Sequence, residues 1–222
     1  MQAVLWDMDG VLVDSEPLWS IAEEALAARF GRVWTDEAKA LVVGTRLDHA
    51  VPAILRFFDQ DDGPEQVRTA SAFLLERMVT LYDGPLRLMP GAEELLASLR
   101  TEGVPVALVS SSFRVLVDAV LARGVGPFEV TVAGDEVVLA KPHPEPYLTA
   151  ARRLRVDPSC CVVIEDSPSG VRAGEAAGCA VLAVPSVPGV LFEPARRRSV
   201  VRSLADVSVS DLRSLTRICD AP

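Results

Sequence analysis

Residues 1–10 read MQAVLWDMDG, and the break inside that stretch decides the fold. Residues 2–6 form a short apolar run of the kind that makes a buried strand, and the run stops abruptly at a turn-like segment carrying Asp7 and Asp9. A strand ending this way delivers two carboxylates to its C-terminal tip. Beyond Met89-Pro90-Gly91 the pattern alternates: helix AEELLASLR, strand VPVALVS, a helix near 113–123, strand EVTVAG, a helix near 146–154, strand CCVVIED, a helix near 168–177 and strand AVLAV. This alternation predicts an α/β fold, a Rossmann-like doubly wound parallel sheet with helices on both faces. Right-handed crossovers then put ligands in the crevice beyond the carboxyl ends of the strands.

Between these two regions the period changes. LWSIAEEALAARF has helical spacing, with Pro17 suited to the first turn and Gly31 to the stop. Further helical patterns follow at about 35–43, 46–58 and 65–82, separated by polar breaks such as DQDDGPE. The expected division is a core of residues 1–15 and 86–222, with an all-helical insertion, residues 16–85, after the first strand. From about residue 199 the pattern is weak: it leaves room for a short edge strand and a closing helix, and neither is assigned.

The 222 residues are 50% hydrophobic and 24% charged, the mix of a folded chain long enough to bury its own core. A formal charge of −9 argues against a nucleic-acid or anionic-membrane partner, which would be repelled at long range. The one basic run, Arg196-Arg197-Arg198, is read as a solvated surface loop. With no signal-like start and no apolar span of about 20 residues, the expected location is cytoplasmic. The adjacent Cys160 and Cys161 suit neither a metal knuckle nor a disulfide framework and are read as small core residues.

Four polar clusters fall where predicted segments meet the crevice: Asp7 with Asp9, Ser110, Lys141, and Glu165 with Asp166. Each has an ordinary explanation. Asp and Gly favour turns, and the run Ser110-Ser111-Ser112 offers helix caps, although the Ser110 hydroxyl beside helix-start amides also suits a phosphate oxygen. Lys141, in KPHPEP, would normally be surface; yet the chain has only two lysines, Lys39 and Lys141, against twenty arginines, which favours a need for a compact point charge here. Two consecutive carboxylates ending the apolar strand VVIED would repel each other unless a cation or hydrogen bonds compensate. Together the clusters supply carboxylates for a hard divalent ion, and a hydroxyl and an ammonium for phosphate oxygens, as phosphoryl transfer requires.

The ordered motifs DMDGVLVDSEP, VALVSSS, AKPHPEPY and VVIEDSPSG resemble those of the haloacid dehalogenase-like phosphatases over nearly the whole chain. The insertion is similar to the small helical cap of the subgroup containing hexose-phosphate phosphatases and beta-phosphoglucomutase. The resemblance implies Asp7 as nucleophile and Mg2+ ligand, Asp9 as general acid/base with its backbone carbonyl on the metal, and Asp166 as a further ligand supported by Glu165. It implies that Ser110 and Lys141 hold the phosphoryl group. Ser111, Trp19 and Arg46, the last near a possible hinge at Gly44, are candidate substrate contacts.

The expected activity is hydrolysis of a small phosphorylated metabolite, a sugar or polyol phosphate, by a monomer or weak homodimer. A phosphomutase is the nearest alternative, but Trp19 stands where a His is expected of one and Ser112-Phe113-Arg114 lacks the expected Lys-Asn pair. A dehalogenase has no evident use for Asp9 or the acidic cluster. A non-catalytic phospho-ligand module would tolerate a degraded site, and none of the motifs is degraded. A nicotinamide domain lacks its Gly-rich turn.

Overall fold

The computed structural model describes residues 1–42, 44–186 and 190–216. Six parallel strands form one sheet in the order β3-β2-β1-β4-β5-β6: β1 (Ala3–Trp6), β2 (Val106–Val109), β3 (Val130–Val132), β4 (Cys161–Glu165), β5 (Ala180–Ala183) and β6 (Arg198–Val200). The helices are α1 (Glu16–Arg29), α2 (Asp36–Ala40), α3 (Leu47–Phe57), α4 (Pro64–Tyr82), α5 (Ala92–Thr101), α6 (Arg114–Leu121), α7 (Glu145–Leu154), α8 (Pro168–Ala176) and α9 (Val209–Leu215). The doubly wound α/β architecture expected from the alternation is therefore present.

The period of two along each strand sends alternate side chains into two separate cores. Val4, Trp6, Leu108, Val162 and Ile164 join one, which extends into the helices that precede α5. Ala3, Leu5, Val109, Val163 and Val181 join the other, under α7 and α8. Strands buried on both faces are why these segments read as continuous apolar runs rather than alternating ones.

Helices α1 to α4 lie between β1 and α5 in sequence; α1 and α3 pack on α4, and α4 also packs on α6. The two chain crossings that join them to the sheet pair with each other: Asp14 N donates to Arg87 O at 2.9 Å and Met89 N to Leu12 O at 3.0 Å. No helix among the described residues is long and apolar enough to cross a membrane.

Two readings need correction or completion. Arg196-Arg197-Arg198 is not a solvated loop: it turns into edge strand β6, and Arg197 is half-buried with its guanidinium donating to Gly178 O at 2.7 Å and to Ser159 O. Charged residues are common at sheet edges, where they hide unpaired backbone, and that masks the strand signal. The unassigned tail supplies both β6 and α9, the latter started by a Ser208–Asp211 capping box. Residues 187–189 and 217–222 lie outside the described residues, as does Val43 within the proposed hinge region.

Leu5 sits fully buried in a central strand. Leu5→Ala should cost about 2–5 kcal/mol of stability, read as a fall in the denaturant midpoint. A loss below about 1 kcal/mol would show that this strand is not packed as described.

Candidate active site

The C-terminal tips of β1, β2 and β4 open onto one crevice, and the loop after β3 reaches it from the side. The turn after β1 depends on Gly10, whose φ of +74° is left-handed and whose Cβ, if present, would overlap the Asp166 carboxylate. Asp7 continues the ladder of β1, its N–H donating to Ile164 O at 3.0 Å, which fixes its carboxylate at the sheet edge beside β4.

Lys141 Nζ ties the crevice together. It donates to Asp7 Oδ1 and Glu165 Oε1, both at 2.7 Å, and to Val109 O at 3.0 Å. Burial works against its charge, but Asp7 and Glu165 outweigh that and hold its pKa above the ordinary lysine value. Asp7 shifts upward: burial and the neighbouring Glu165 oppose its ionisation more than Lys141 assists it.

Glu165 is wholly buried, and both its oxygens are occupied. Oε1 accepts from Lys141 and from Tyr147 OH at 2.7 Å; Oε2 accepts from Asp166 N at 3.1 Å, Ser167 N at 3.2 Å and Ser167 Oγ at 3.0 Å. The start of α8 thus solvates this carboxylate, as a helix N-terminus does for an anion. The approach needs Gly170, because a Cβ there would overlap the Glu165 carboxylate. Asp166 accepts from Ser186 Oγ, and its pKa is pushed up to about 8 by burial and by Glu165, against Ser186 and Lys141.

Asp9 turns to a different set of donors. Ser15 Oγ donates to Oδ1 at 2.7 Å, Ser112 Oγ to Oδ2 at 2.8 Å and Ser110 Oγ to Oδ2 at 3.2 Å, with Tyr82 OH 3.4 Å from Oδ1. Ser15 and Tyr82 bracket the helical segment at its two ends.

A single cavity joins this cluster to the helices above it. Asp7, Asp9, Ser111, Ser112, Lys141 and Asp166 line it from the sheet side, and Trp19 from α1. Arg46 does not line it. Its guanidinium is spent on Asp48, at 2.6 and 2.8 Å, and on the carbonyls of Gly134 and Val137, both at 3.0 Å, fastening the start of α3 to the loop after β3. Gly44 is fastened nearby, its carbonyl accepting from Ser169 Oγ at 3.0 Å.

Sequence reasoning missed Ser15, Tyr82, Ser112 and Tyr147 as partners of the carboxylates. Ser15, Ser112 and Tyr147 lie inside the quoted motifs, so position in a motif beside a candidate acid was an available signal. It also missed Glu16, Glu23 and Lys39, which line the cavity. Both lysines of the chain therefore line the same cavity.

A doubly wound sheet whose strand tips gather carboxylates, one lysine and serine hydroxyls beneath a helical insertion defines a class of hydrolases. The chain belongs to the haloacid dehalogenase-like hydrolases, whose family model matches residues 1–178. It is 33% identical over 219 residues to hexitol phosphatase B of Escherichia coli, covering 96% of this chain and 94% of that protein. It is 32% identical over 207 residues to the bifunctional riboflavin kinase/FMN phosphatase of Arabidopsis thaliana, spanning 54% of that longer protein. Among solved structures it is similar to CbbY from Rhodobacter sphaeroides in complex with phosphate, with a TM-score of 0.84, 29% identity, and coverage of 96% of this chain and 99% of that one.

Gly170→Ala should destabilise the protein by about 1–3 kcal/mol, because the added methyl forces α8 away from Glu165. Unchanged chemical denaturation of that variant would show that α8 does not seat on the carboxylate.

Proposed function

We propose that this hydrolase removes phosphate from small phosphomonoesters, sugar or polyol phosphates among them, through a phosphorylated Asp7 and with Mg2+. The observation that carries the reading is the convergence of Asp7, Glu165 and Asp166, whose carboxylate oxygens lie within 4.8 Å of one another, around one buried ammonium. An all-oxygen donor set of this kind suits a hard divalent cation. Burial first, and the neighbouring Glu165 second, raise the pKa values of Asp7 and Asp166 against the pull of Lys141, and a bound cation would offset both effects.

Asp7, Asp166 and the main-chain carbonyl of Asp9 would hold the ion; Glu165, saturated by its own donors, supports the set by placing Lys141. When bound, Mg2+ supplies Lewis-acid neutralisation of the phosphate dianion. Lys141 and Ser110 hold phosphate oxygens, with Ser111 beside them, and Lys141 keeps Asp7 oriented. The Asp7 carboxylate attacks phosphorus as the ester P–O bond breaks, and Asp9 gives a proton to the departing alkoxide. Asp9, now a carboxylate, takes a proton from water; that water attacks the acyl phosphate, releasing inorganic phosphate and restoring Asp7. The hydroxyls of Ser15 and Ser112 donate to the two Asp9 oxygens and orient the carboxyl at the crevice.

Residues 16–85 act as a cap that excludes bulk water during these steps, with Trp19 on its inner wall. The phosphatase names carried by the curated relatives support hydrolysis over phosphoryl return to a sugar, and every group a catalyst needs is in place, which disfavours a non-catalytic module. The natural substrate is a small cytoplasmic metabolite rather than a nucleic acid or membrane, and a monomer or weak homodimer suffices.

Phosphate release from a panel of sugar, polyol and glycolate phosphates should require Mg2+ and stop on chelation. Asp7→Asn should abolish turnover with an unchanged circular dichroism spectrum. Asp9→Asn should lose at least about 100-fold on alkyl phosphates, where the leaving group needs a proton most. Near-normal alkyl phosphate hydrolysis by that variant would remove Asp9 from its role.

A further inference from the structure

The helical wall of the cavity contains a carboxyl group that the chemistry above does not use. Glu23, on α1, is 7% exposed and lines the cavity, yet no donor among the described residues bonds to its carboxyl. Apart from Glu16 and Lys39 the wall around it is apolar, lined by Val42, Leu47, Ile54 and Leu74. An unpaired buried polar group costs stability unless a ligand completes it.

The charged neighbours of Glu23, Glu16 and Lys39, are engaged with each other. Lys39 Nζ donates to Ser20 Oγ at 2.7 Å and pairs with Glu16 at 3.2 Å. Arg46, the cap cation nearest in sequence to this wall, is committed to Asp48 and to loop carbonyls. The wall facing the leaving group therefore offers two carboxyl groups and one ammonium that is already paired, an arrangement that keeps no uncommitted cation for a second anion and accepts hydrogen bonds from hydroxyls. Burial and Glu16, against the pull of Lys39, raise the Glu23 pKa to about 8. Near neutral pH it is thus mostly uncharged, suited to exchanging hydrogen bonds with a hydroxyl and less suited to holding a cation.

We propose that Glu23 is a specificity-determining residue that reads a hydroxyl on the leaving group, so that the pocket takes monophosphate esters of uncharged polyols and rejects esters bearing a second phosphate or a carboxylate. This rests on the phosphatase reading above. The apolar side chains around it would cover the C–H faces of such a polyol, and Glu23 supplies the polar contact that fixes its register.

The test compares sorbitol 6-phosphate, fructose 1,6-bisphosphate, phosphoglycolate, phosphoethanolamine and 4-nitrophenyl phosphate, with Mg2+, in the wild-type protein and in Glu23→Leu and Glu23→Gln. The wild type should favour sorbitol 6-phosphate by at least about tenfold in kcat/KM over the bisphosphate, phosphoglycolate and phosphoethanolamine. Glu23→Leu should raise KM for sorbitol 6-phosphate by about tenfold or more, while 4-nitrophenyl phosphate, which has no leaving-group hydroxyl to read, changes by less than about threefold. Glu23→Gln, still able to bond a hydroxyl, should stay near the wild type. Glu23→Leu should also melt no lower than the wild type, since it replaces an unpaired buried carboxyl with an apolar group.

Equal losses on both esters with a lowered melting point would make Glu23 structural and overturn the proposal. So would an unchanged sorbitol 6-phosphate KM, or a wild-type preference for the bisphosphate, phosphoglycolate or the amine ester. Failure of the wild type to hydrolyse any ester, 4-nitrophenyl phosphate included, would overturn the phosphatase reading together with this one; intact hydrolysis without discrimination would overturn this one alone.

Discussion

One buried ammonium sets the arrangement of the whole crevice. Lys141 stands 2.7 Å from Asp7 and from Glu165, and each of the three comes from a different part of the sheet's carboxyl edge. Removing the ammonium would leave two carboxylates close together in a water-poor site, where like charges are hard to sustain. For the contact to form, β1 and β4 must be neighbours in register, which they are: Trp6 lies opposite Ile164, so the residues that follow emerge side by side. Tyr147 on α7 and the amides of Asp166 and Ser167, just ahead of α8, then hold Glu165, so elements on one face of the sheet brace the charges that its edge presents.

The parts of this design that depend on local patterning were legible in the sequence. Strands β1, β2, β4 and β5 are short apolar runs because both faces are covered, and the polar residues directly after them had to lie at the crevice. Strand β6 was only faintly legible, because an edge strand beginning at Arg198 carries no apolar run to announce it. Nor did sequence indicate that Arg46 would spend its guanidinium on loop carbonyls, since a lone arginine before a helix has the same appearance whether it meets solvent, a ligand or a neighbouring loop.

The helical wall was the least readable part. Glu16, Glu23 and Lys39 look like the ordinary charged positions of amphipathic helices, and nothing in their spacing separates an outward face from one turned toward a cavity. Only packing distinguishes them: α4 closes against α1 and α3, and the polar positions of α1 on the side toward the sheet become the lining of an enclosed space. The clustered carboxylates and lysine thus lie at strand ends, where the chain is constrained, while the opposite wall of the cavity is built from helices, where local pattern says less.

The paired crossings at Leu12–Asp14 and Arg87–Met89 bring the two ends of the helical segment out of the sheet at a common point. Structurally, that gives everything between them one covalent doorway, while Arg46, Gly44 and the packing of α4 on α6 dock it elsewhere. Because both crossings lie beyond the hydrogen-bonded ladder of β1, the helices hang from the sheet without entering its register, and among the described residues they reach the carboxylates only through Ser15 and Tyr82 at their two ends.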